Sequence, residues 1–86
     1  MKTTVVNLRE SPCDVIIDRS SPWGNPFRIG PDGSRDEVIA KYGKWIRSQP
    51  HLLWLLPTLR DKVLGCHCKP LACHGDVLAE LADAAA

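Results

Sequence analysis

The stretch Lys62-Val-Leu-Gly-Cys-His-Cys-Lys-Pro-Leu-Ala-Cys-His-Gly-Asp76 decides the fold, because it joins a predicted strand to a predicted helix. Residues 62–66 are mostly apolar, and Pro70 ends the strand because proline has no N–H for a sheet ladder. Apolar residues recur at helical spacing over residues 75–84 and predict a terminal helix. Those apolar residues are Val77, Leu78, Leu81 and Ala82. The cysteines and histidines therefore lie where a buried strand is followed by the start of a helix.

Two β-branched runs open the chain. Residues 3–6 and residues 15–17 each predict a short strand. Two helical runs follow before the decisive stretch, so the element order is β-β-α-α-β-α. This order predicts a small α/β protein, a single domain over residues 1–86, with a short, partly parallel sheet flanked by helices. We expect the first and last strands to lie side by side in parallel, and a ligand to bind at the carboxyl ends of the strands.

The two helical runs differ in how clearly their ends are marked. Ser34 and Glu37 form a capping-box pattern ahead of an amphipathic run, which predicts the start of the first helix. Residues 52–56 predict a second, short and buried helix that ends before Pro57. Trp54 falls on an apolar face of this run and is predicted to lie in the core.

Composition restricts the class of protein. Eighty-six residues leave room for one domain, and 44% hydrophobic with 24% charged residues is typical of a globular chain. A formal charge of +1 excludes a strongly basic nucleic-acid arm and an acidic tail. No apolar run approaches the ~20 residues of a membrane span, and residues 1–7 lack the apolar region of a signal peptide. We expect a cytoplasmic protein that does not associate with a membrane.

Three cysteines clustered in such a chain favour metal binding or reactive thiols over disulfides. One hypothesis is a zinc site, since zinc takes tetrahedral sulfur and nitrogen ligands. Its candidate ligands are Cys66, Cys68, Cys73 and His74. Gly75 follows directly, and we expect it to let the backbone approach a ligand closely.

A second hypothesis is a reactive thiol. Cys73 opens the predicted helix, where the partial positive charge of the helix start lowers the pKa of a thiol. Cys73, His74 and Asp76 are then the candidate catalytic residues, with Asp76 capping the helix or orienting His74. A third alternative is that Cys66 and Cys68 are small core residues, because free cysteine is often buried. The sequence leaves these alternatives open.

The second distinctive stretch is Pro22-Trp-Gly-Asn-Pro-Phe-Arg28, whose prolines and glycine predict an ordered loop. Gly24 is expected to allow a turn with positive φ. One hypothesis is that Trp23 stacks on a base while Asn25 reads the edge of that base. The alternative is that Trp23 and Phe27 fill the core beneath the loop while Asn25 holds a turn.

Three further residues complete the predicted ligand-binding set. Asn7 and Arg9 lie at or just past the end of the first strand, and Arg28 lies in the loop. Together with Arg19, these two arginines are expected to converge on an anion such as a phosphate. Taken singly, each arginine is better explained as a solvated surface charge.

These motifs together resemble a known family. The chain resembles a family of small bacterial and phage proteins, the domain of unknown function 4326. The resemblance rests on three motifs: Val5-Val-Asn7 with Arg9, then Trp23-Gly-Asn-Pro-Phe27, then Gly-Cys-x-Cys-x-Pro-x-x-Cys-His-Gly-Asp over residues 65–76. The resemblance covers nearly the whole chain and implies a shared fold and site, but no particular reaction. Cys13 stands where the family has an aromatic residue, so Cys13 is left out of the site.

Two functions of different classes follow. The first is binding of a nucleotide- or nucleobase-related ligand, with or without catalysis, at the Cys/His-rich junction facing the loop of residues 22–28. The alternative is a structural zinc-binding module that contacts a host protein or a nucleic acid. A chain of 86 residues makes a shallow pocket, so a homodimer that closes the site between two subunits is a further hypothesis.

Overall fold

The computed structural model describes residues 2–84, and it has the α/β architecture predicted from the sequence. Three strands and three α-helices form the domain, with a 3-10 helix ahead of the last strand. The elements are β1 (Thr4–Asn7), β2 (Val15–Ile16), α1 (Arg35–Arg47), α2 (Pro50–Leu55), the 3-10 helix (Leu56–Leu59), β3 (Val63–Cys66) and α3 (His74–Ala84).

The sheet has the strand order β1-β3-β2, and both pairings are parallel. Asn7 pairs with Cys66, and Ile16 pairs with Gly65, so all three strands end at one edge. The predicted parallel pairing of the first and last strands is therefore confirmed. Because β3 lies between the other two strands, the segment that follows it starts at the centre of the carboxyl edge.

The first helix begins as the capping box predicts. The Ser34 hydroxyl accepts a hydrogen bond from the Glu37 N–H, and the Glu37 carboxylate accepts one from the Ser34 N–H. These bonds satisfy two of the N–H groups that a helix start leaves unpaired. On its inner face α1 buries Val38, Tyr42 and Ile46, which fixes the start of the helix relative to the sheet.

The second helical segment is longer than predicted. The chain does not leave helical structure before Pro57 but continues as the 3-10 helix to Leu59. Pro57 is tolerated because it lies in the first turn of that helix, where the N–H group that proline lacks would have no helical partner. Leu56 and Leu59 are buried, so this extra turn contributes to the core.

The core lies between the sheet and the three α-helices. Its fully buried side chains include Ile17, Leu64 and Leu78. The prediction that Trp54 lies in the core is wrong, because 79% of its surface is exposed. Trp23 is buried in the core cluster instead. Within residues 2–84, no helix has the length and apolar character needed to cross a membrane.

The terminal helix α3 is held at both ends. Near its start the Asp76 carboxylate accepts a hydrogen bond from the Cys73 N–H, at 3.1 Å. Near its end the Asp83 carboxylate accepts from the Thr3 hydroxyl at 2.7 Å and from the Thr3 N–H at 3.0 Å. The first bond caps the start of α3, and the bonds to Thr3 tie its end to the residue that precedes β1.

Candidate functional site

A cavity of about 350 Å³ lies at the carboxyl ends of β2 and β3, between the first turns of α1 and α3. The loop that follows β2 forms its other side. The lining residues are Asp18, Arg19, Ser20, Asn25, Phe27, Ile29, Arg35, Val38, Ile39, Cys66, His67, Cys68, Ala72, Cys73 and His74. The cavity therefore brings together the Cys/His-rich junction and part of the loop of residues 22–28.

Two of the cysteines form a close pair in the wall of this cavity. Cys66 ends β3, Cys73 precedes α3, and their sulfur atoms lie 3.2 Å apart. Burial raises the pKa of Cys73 to about 12, and the hydrogen bond with Cys66 adds to this rise. The predicted lowering of the thiol pKa by the helix start is therefore wrong, because desolvation of the thiolate outweighs it.

His74 is buried and has a defined proton position. Its Nε2 lies 2.6 Å from the carbonyl oxygen of Ile17, and a carbonyl only accepts, so Nε2 carries a hydrogen. Burial lowers the pKa of His74, mainly by desolvation of the cation. The ring also packs edge-on against Tyr42, with 4.9 Å between ring centroids. His74 is therefore a neutral imidazole that ties the start of α3 to the end of β2.

The four predicted zinc ligands do not converge on one point. Within residues 2–84, no group of three His, Cys, Asp or Glu side chains is placed to hold a metal ion. Cys66 and Cys73 are adjacent, but the Nε2 atom of His74 is committed to the Ile17 carbonyl. Cys68 lines the same cavity and is half-buried.

Asp76 and Gly75 have structural contacts outside the cavity. The Asp76 carboxylate caps α3 through the Cys73 N–H and forms an ion pair with Lys69 at 2.5 Å. A Cβ atom on Gly75 would lie 2.7 Å from the Ile17 side chain and 2.9 Å from a Val5 methyl. Gly75 thus allows α3 to pack closely on the sheet. The predicted role was a different one, the close approach of the backbone to a ligand.

The loop of residues 22–28 contributes less to the cavity than predicted. Trp23 does not line it; the indole is buried in the core, and the Trp23 carbonyl accepts a hydrogen bond from Tyr42. Asn25 lines the cavity, but its amide donates to the Val38 carbonyl and accepts from the Phe27 N–H. The packing alternative therefore describes Trp23, and the Asn25 amide is built into the turn.

Gly24 differs from its prediction as well. The residues with positive φ in this part of the chain are Gly30 and Gly33. A Cβ on Gly24 would lie 2.6 Å from the Asp18 carbonyl and from the Arg19 backbone. Gly24 therefore allows two backbone segments of the loop to touch.

The remaining predicted ligand-binding residues lie outside the cavity lining. The Asn7 side chain donates to the Lys69 carbonyl at 2.8 Å and accepts from the Arg9 N–H at 2.9 Å. Asn7 thus braces the segment between β3 and α3. Arg9 and Arg28 are exposed at the surface.

Sequence reasoning missed an acidic group in the cavity. The Asp18 carboxylate lies 3.0 Å from Nε2 of His67 and accepts hydrogen bonds from the hydroxyl and the N–H of Ser20. These bonds, led by that of the Ser20 hydroxyl, lower the pKa of Asp18 to about 2. The one available signal was position, since Asp18 follows the second predicted strand and a site was expected at the strand ends.

Arg19, one of the three arginines expected to converge on an anion, lines the cavity, whereas Arg35 and Phe27 line it without having been predicted as site residues. Arg19 donates to the carbonyls of Asn25 and Phe27, at 3.1 and 3.3 Å. Arg35 reaches across the cavity mouth to the Ala72 carbonyl, at 3.0 Å. Both guanidinium groups keep further N–H donors beyond these bonds, because each carries five. The cavity therefore combines two cations with the Asp18 anion.

Phe27 also borders a second, more open groove of about 510 Å³. The groove is lined by Lys41, Lys44 and Trp45, with Asp32 and Ser48 at its side. The Lys41 ammonium lies 6.0 Å from the centroid of the Phe27 ring and donates to the Asp32 carbonyl. The two concave surfaces thus meet at Phe27.

Comparison with known proteins identifies relatives over most of the chain. The uncharacterized 12.4 kDa protein in the nrdA-td intergenic region of Enterobacteria phage T4 is 42% identical over 82 residues, 90% of this chain and 74% of the relative. The uncharacterized protein R718 of Acanthamoeba polyphaga mimivirus is 37% identical over 87 residues, 80% of this chain and 66% of the relative. No solved structure gives a significant match. A family model described as Domain of unknown function (DUF4326) matches residues 2–84, and the chain belongs to that family.

Proposed function

We propose that this chain binds a ligand of the nucleotide or nucleobase class in the cavity at the carboxyl ends of β2 and β3. One observation carries the proposal: apolar side chains, two arginines and one ionised carboxylate line the same cavity of about 350 Å³. Ligand pockets usually measure about 300–1,000 Å³, so this cavity suits a ligand of about nucleoside size. Open parallel sheets bind ligands at this edge.

The apolar wall suits the face of a base. Phe27, Ile29, Val38 and Ile39 line the cavity, and Phe27 provides an aromatic ring for stacking. Stacking of a base on an aromatic side chain contributes about 1–3 kcal/mol. In this proposal Phe27 replaces Trp23 as the stacking residue, since the Trp23 ring is buried in the core.

The Asp18 carboxylate suits the edge of a base. It is ionised at neutral pH and therefore only accepts hydrogen bonds. Three donors from Ser20 and His67 already bind it, and a carboxylate has about four acceptor positions. An amino or ring N–H group of a base would supply the remaining donor.

The arginines suit a phosphate. Arg19 lines the cavity from the loop after β2 and Arg35 from the start of α1, and charge-assisted bonds from a guanidinium to a phosphate are among the stronger hydrogen bonds. A ligand that extends past Phe27 would reach Lys41 and Lys44 in the adjoining groove. The free thiol of Cys73 stays protonated near neutral pH because its pKa is about 12, which favours a binding site over covalent catalysis.

The test is a titration of the full chain with common ribonucleoside monophosphates and with the matching nucleosides, followed by NMR of the backbone amides. We expect shifts of the amides around Phe27, His67 and Cys73, and weaker binding of every ligand to the Phe27→Ala variant. If neither ligand series shifts these amides at millimolar concentration, the proposal is wrong.

A pair of variants assigns the phosphate. Arg35→Gln should weaken nucleotide binding by about tenfold, the loss expected for one charge-assisted bond, and change nucleoside binding little. Arg47→Gln is the matched control, because Arg47 lies on the same helix but bonds to the Gly43 carbonyl outside the cavity. Equal losses in the two variants would show that general charge, rather than Arg35, attracts the phosphate.

A further inference from the structure

The pairing of Cys66 with Cys73 is independent of any nucleotide ligand. Their sulfur atoms are 3.2 Å apart and both thiols are free. A disulfide bond is about 2.05 Å long, so bonding requires the two sulfurs to approach by only about 1 Å. The hydrogen bonds of Asp76 and His74 fix the start of α3, so Cys73 stays beside the end of β3.

Both thiols are buried from bulk solvent, with 1% and 2% of each residue exposed, yet both line the cavity. A small reagent can therefore reach them only by entering a space of about 350 Å³. Cys13 and Cys68 are half-buried and provide internal comparisons within the same chain.

The buried environment affects the reduced and oxidised forms differently. Reduction of a disulfide is favoured where the resulting thiolates are stabilised, as in strongly oxidising proteins. Here burial penalises the Cys73 thiolate and raises its pKa, while a disulfide is uncharged and suffers no such penalty. Because the Cys73 thiol stays protonated near neutral pH, the reduced pair gains none of the thiolate stabilisation that makes a disulfide strongly oxidising.

We propose that Cys66 and Cys73 are a redox-active dithiol pair that a small disulfide, such as glutathione disulfide, converts to an intramolecular disulfide. One thiol loses its proton and attacks a glutathione sulfur, releasing the first glutathione as a thiol and leaving a mixed disulfide. The second thiol loses its proton, attacks the protein sulfur of that mixed disulfide and releases the second glutathione. The protein loses two electrons and two protons, and glutathione disulfide is reduced to two glutathione thiols.

The experiment treats the full chain with glutathione disulfide, then counts free thiols and maps the disulfide by mass spectrometry of peptides. We expect the four free thiols to fall to two, a mass loss of two hydrogen atoms, and a bond between Cys66 and Cys73. The proposal is overturned if all four thiols persist, or if the bond that forms contains Cys13 or Cys68.

Single substitutions then separate the pair from the other thiols. Cys13→Ser and Cys68→Ser should still lose two thiols, because the pair is intact in both variants. Cys66→Ser and Cys73→Ser should instead retain one bound glutathione on the remaining partner, since no second thiol is present to release it. Peptide mapping of the unmodified chain decides the proposal even if the two last variants fold poorly. A positive result with no nucleotide binding would leave this inference standing and reject the proposed function alone.

Discussion

Nε2 of His74 donates a hydrogen bond of 2.6 Å to the carbonyl oxygen of Ile17, 57 residues earlier in the chain. This bond joins the first residue of α3 to the segment directly after β2, at the edge where the cavity lies. The cavity wall therefore depends on a neutral imidazole, and the stability of the fold should respond to both its removal and its protonation.

We expect His74→Phe to destabilise the protein by about 1–3 kcal/mol, because the variant keeps an aromatic ring but leaves the buried Ile17 carbonyl without its donor. Chemical denaturation at pH 7 measures this loss. His51→Phe is the control, since His51 is exposed on α2. Equal stability of His74→Phe and the unmodified chain would mean that the bond contributes nothing.

The same histidine predicts an acid-side loss of stability. Its pKa is below the ordinary 6.5 in the folded state, so below pH 6.5 the unfolded chain takes up a proton that the folded chain resists. The free energy of unfolding should therefore fall as the pH falls from about 6.5, and this part of the fall should be absent in His74→Phe. Denaturation curves of both proteins between pH 7.5 and pH 5 measure the free energy of unfolding. If that free energy depends on pH in the same way in both proteins, the prediction is wrong.

The Asp18 carboxylate should titrate near pH 2, well below the ordinary 3.8, because the Ser20 hydroxyl and His67 stabilise its anion. Ser20→Ala should raise this pKa more than His67→Gln does, as the Ser20 hydroxyl is the larger cause. Carbon NMR of the carboxyl group measures the titration. Ser21→Ala is the matched control, because the Ser21 hydroxyl donates to the Asp18 main-chain carbonyl instead. A rise of equal size in the control would reject the assignment.

Two helical glycines should respond oppositely to alanine. Gly75→Ala places a methyl group within 3 Å of Ile17 and Val5, and overpacking of this kind costs about 1–3 kcal/mol. At Gly43 the closest atom is the flexible end of Arg47, at 3.2 Å. Gly43→Ala should therefore stabilise the protein by up to about 1 kcal/mol through helix propensity. Thermal melts of both variants test the contrast, which fails if Gly75→Ala melts at or above the unmodified chain.

Oxidation of the dithiol pair should accelerate with pH. If the Cys73 thiolate attacks first, its pKa of about 12 means that the attacking form increases about tenfold per pH unit through the neutral and mildly alkaline range. The measurement is the rate of thiol loss with glutathione disulfide between pH 7 and pH 9. A rate that levels off within this range would show that the attacking thiol has an ordinary pKa.

The fold could be predicted where the signals are local. Ser34 and Glu37 are three residues apart, and their capping box starts α1 in the structure as in the sequence. Trp54 shows the limit of such patterns, because an apolar face predicts burial but does not say whether another element covers it. The 3-10 turn through Pro57 was missed for a similar reason, since proline excludes an interior helical position but not a first turn.

The site was less predictable because its interactions join distant residues. Asp18 and His67 are 49 residues apart, and no spacing rule links them. The cysteines were recognised as a cluster, but the direction of the Cys73 pKa depends on burial, which the sequence does not give. Arg9 and Arg28 are the opposite case. Their residue type suggested anion binding, but the fold places both side chains outside the cavity lining.

The central position of β3 has a consequence for synthesis on the ribosome. β1 and β2 do not pair with each other; both pair with β3, which is the last of the three strands along the chain. A nascent polypeptide that stops before residue 63 therefore contains none of the partners of β1 and β2, and the backbone N–H and C=O groups of both strands stay unpaired. Formation of the sheet must wait for residues 63–66, so β1 and β2 join it only once β3 has been made, rather than strand by strand.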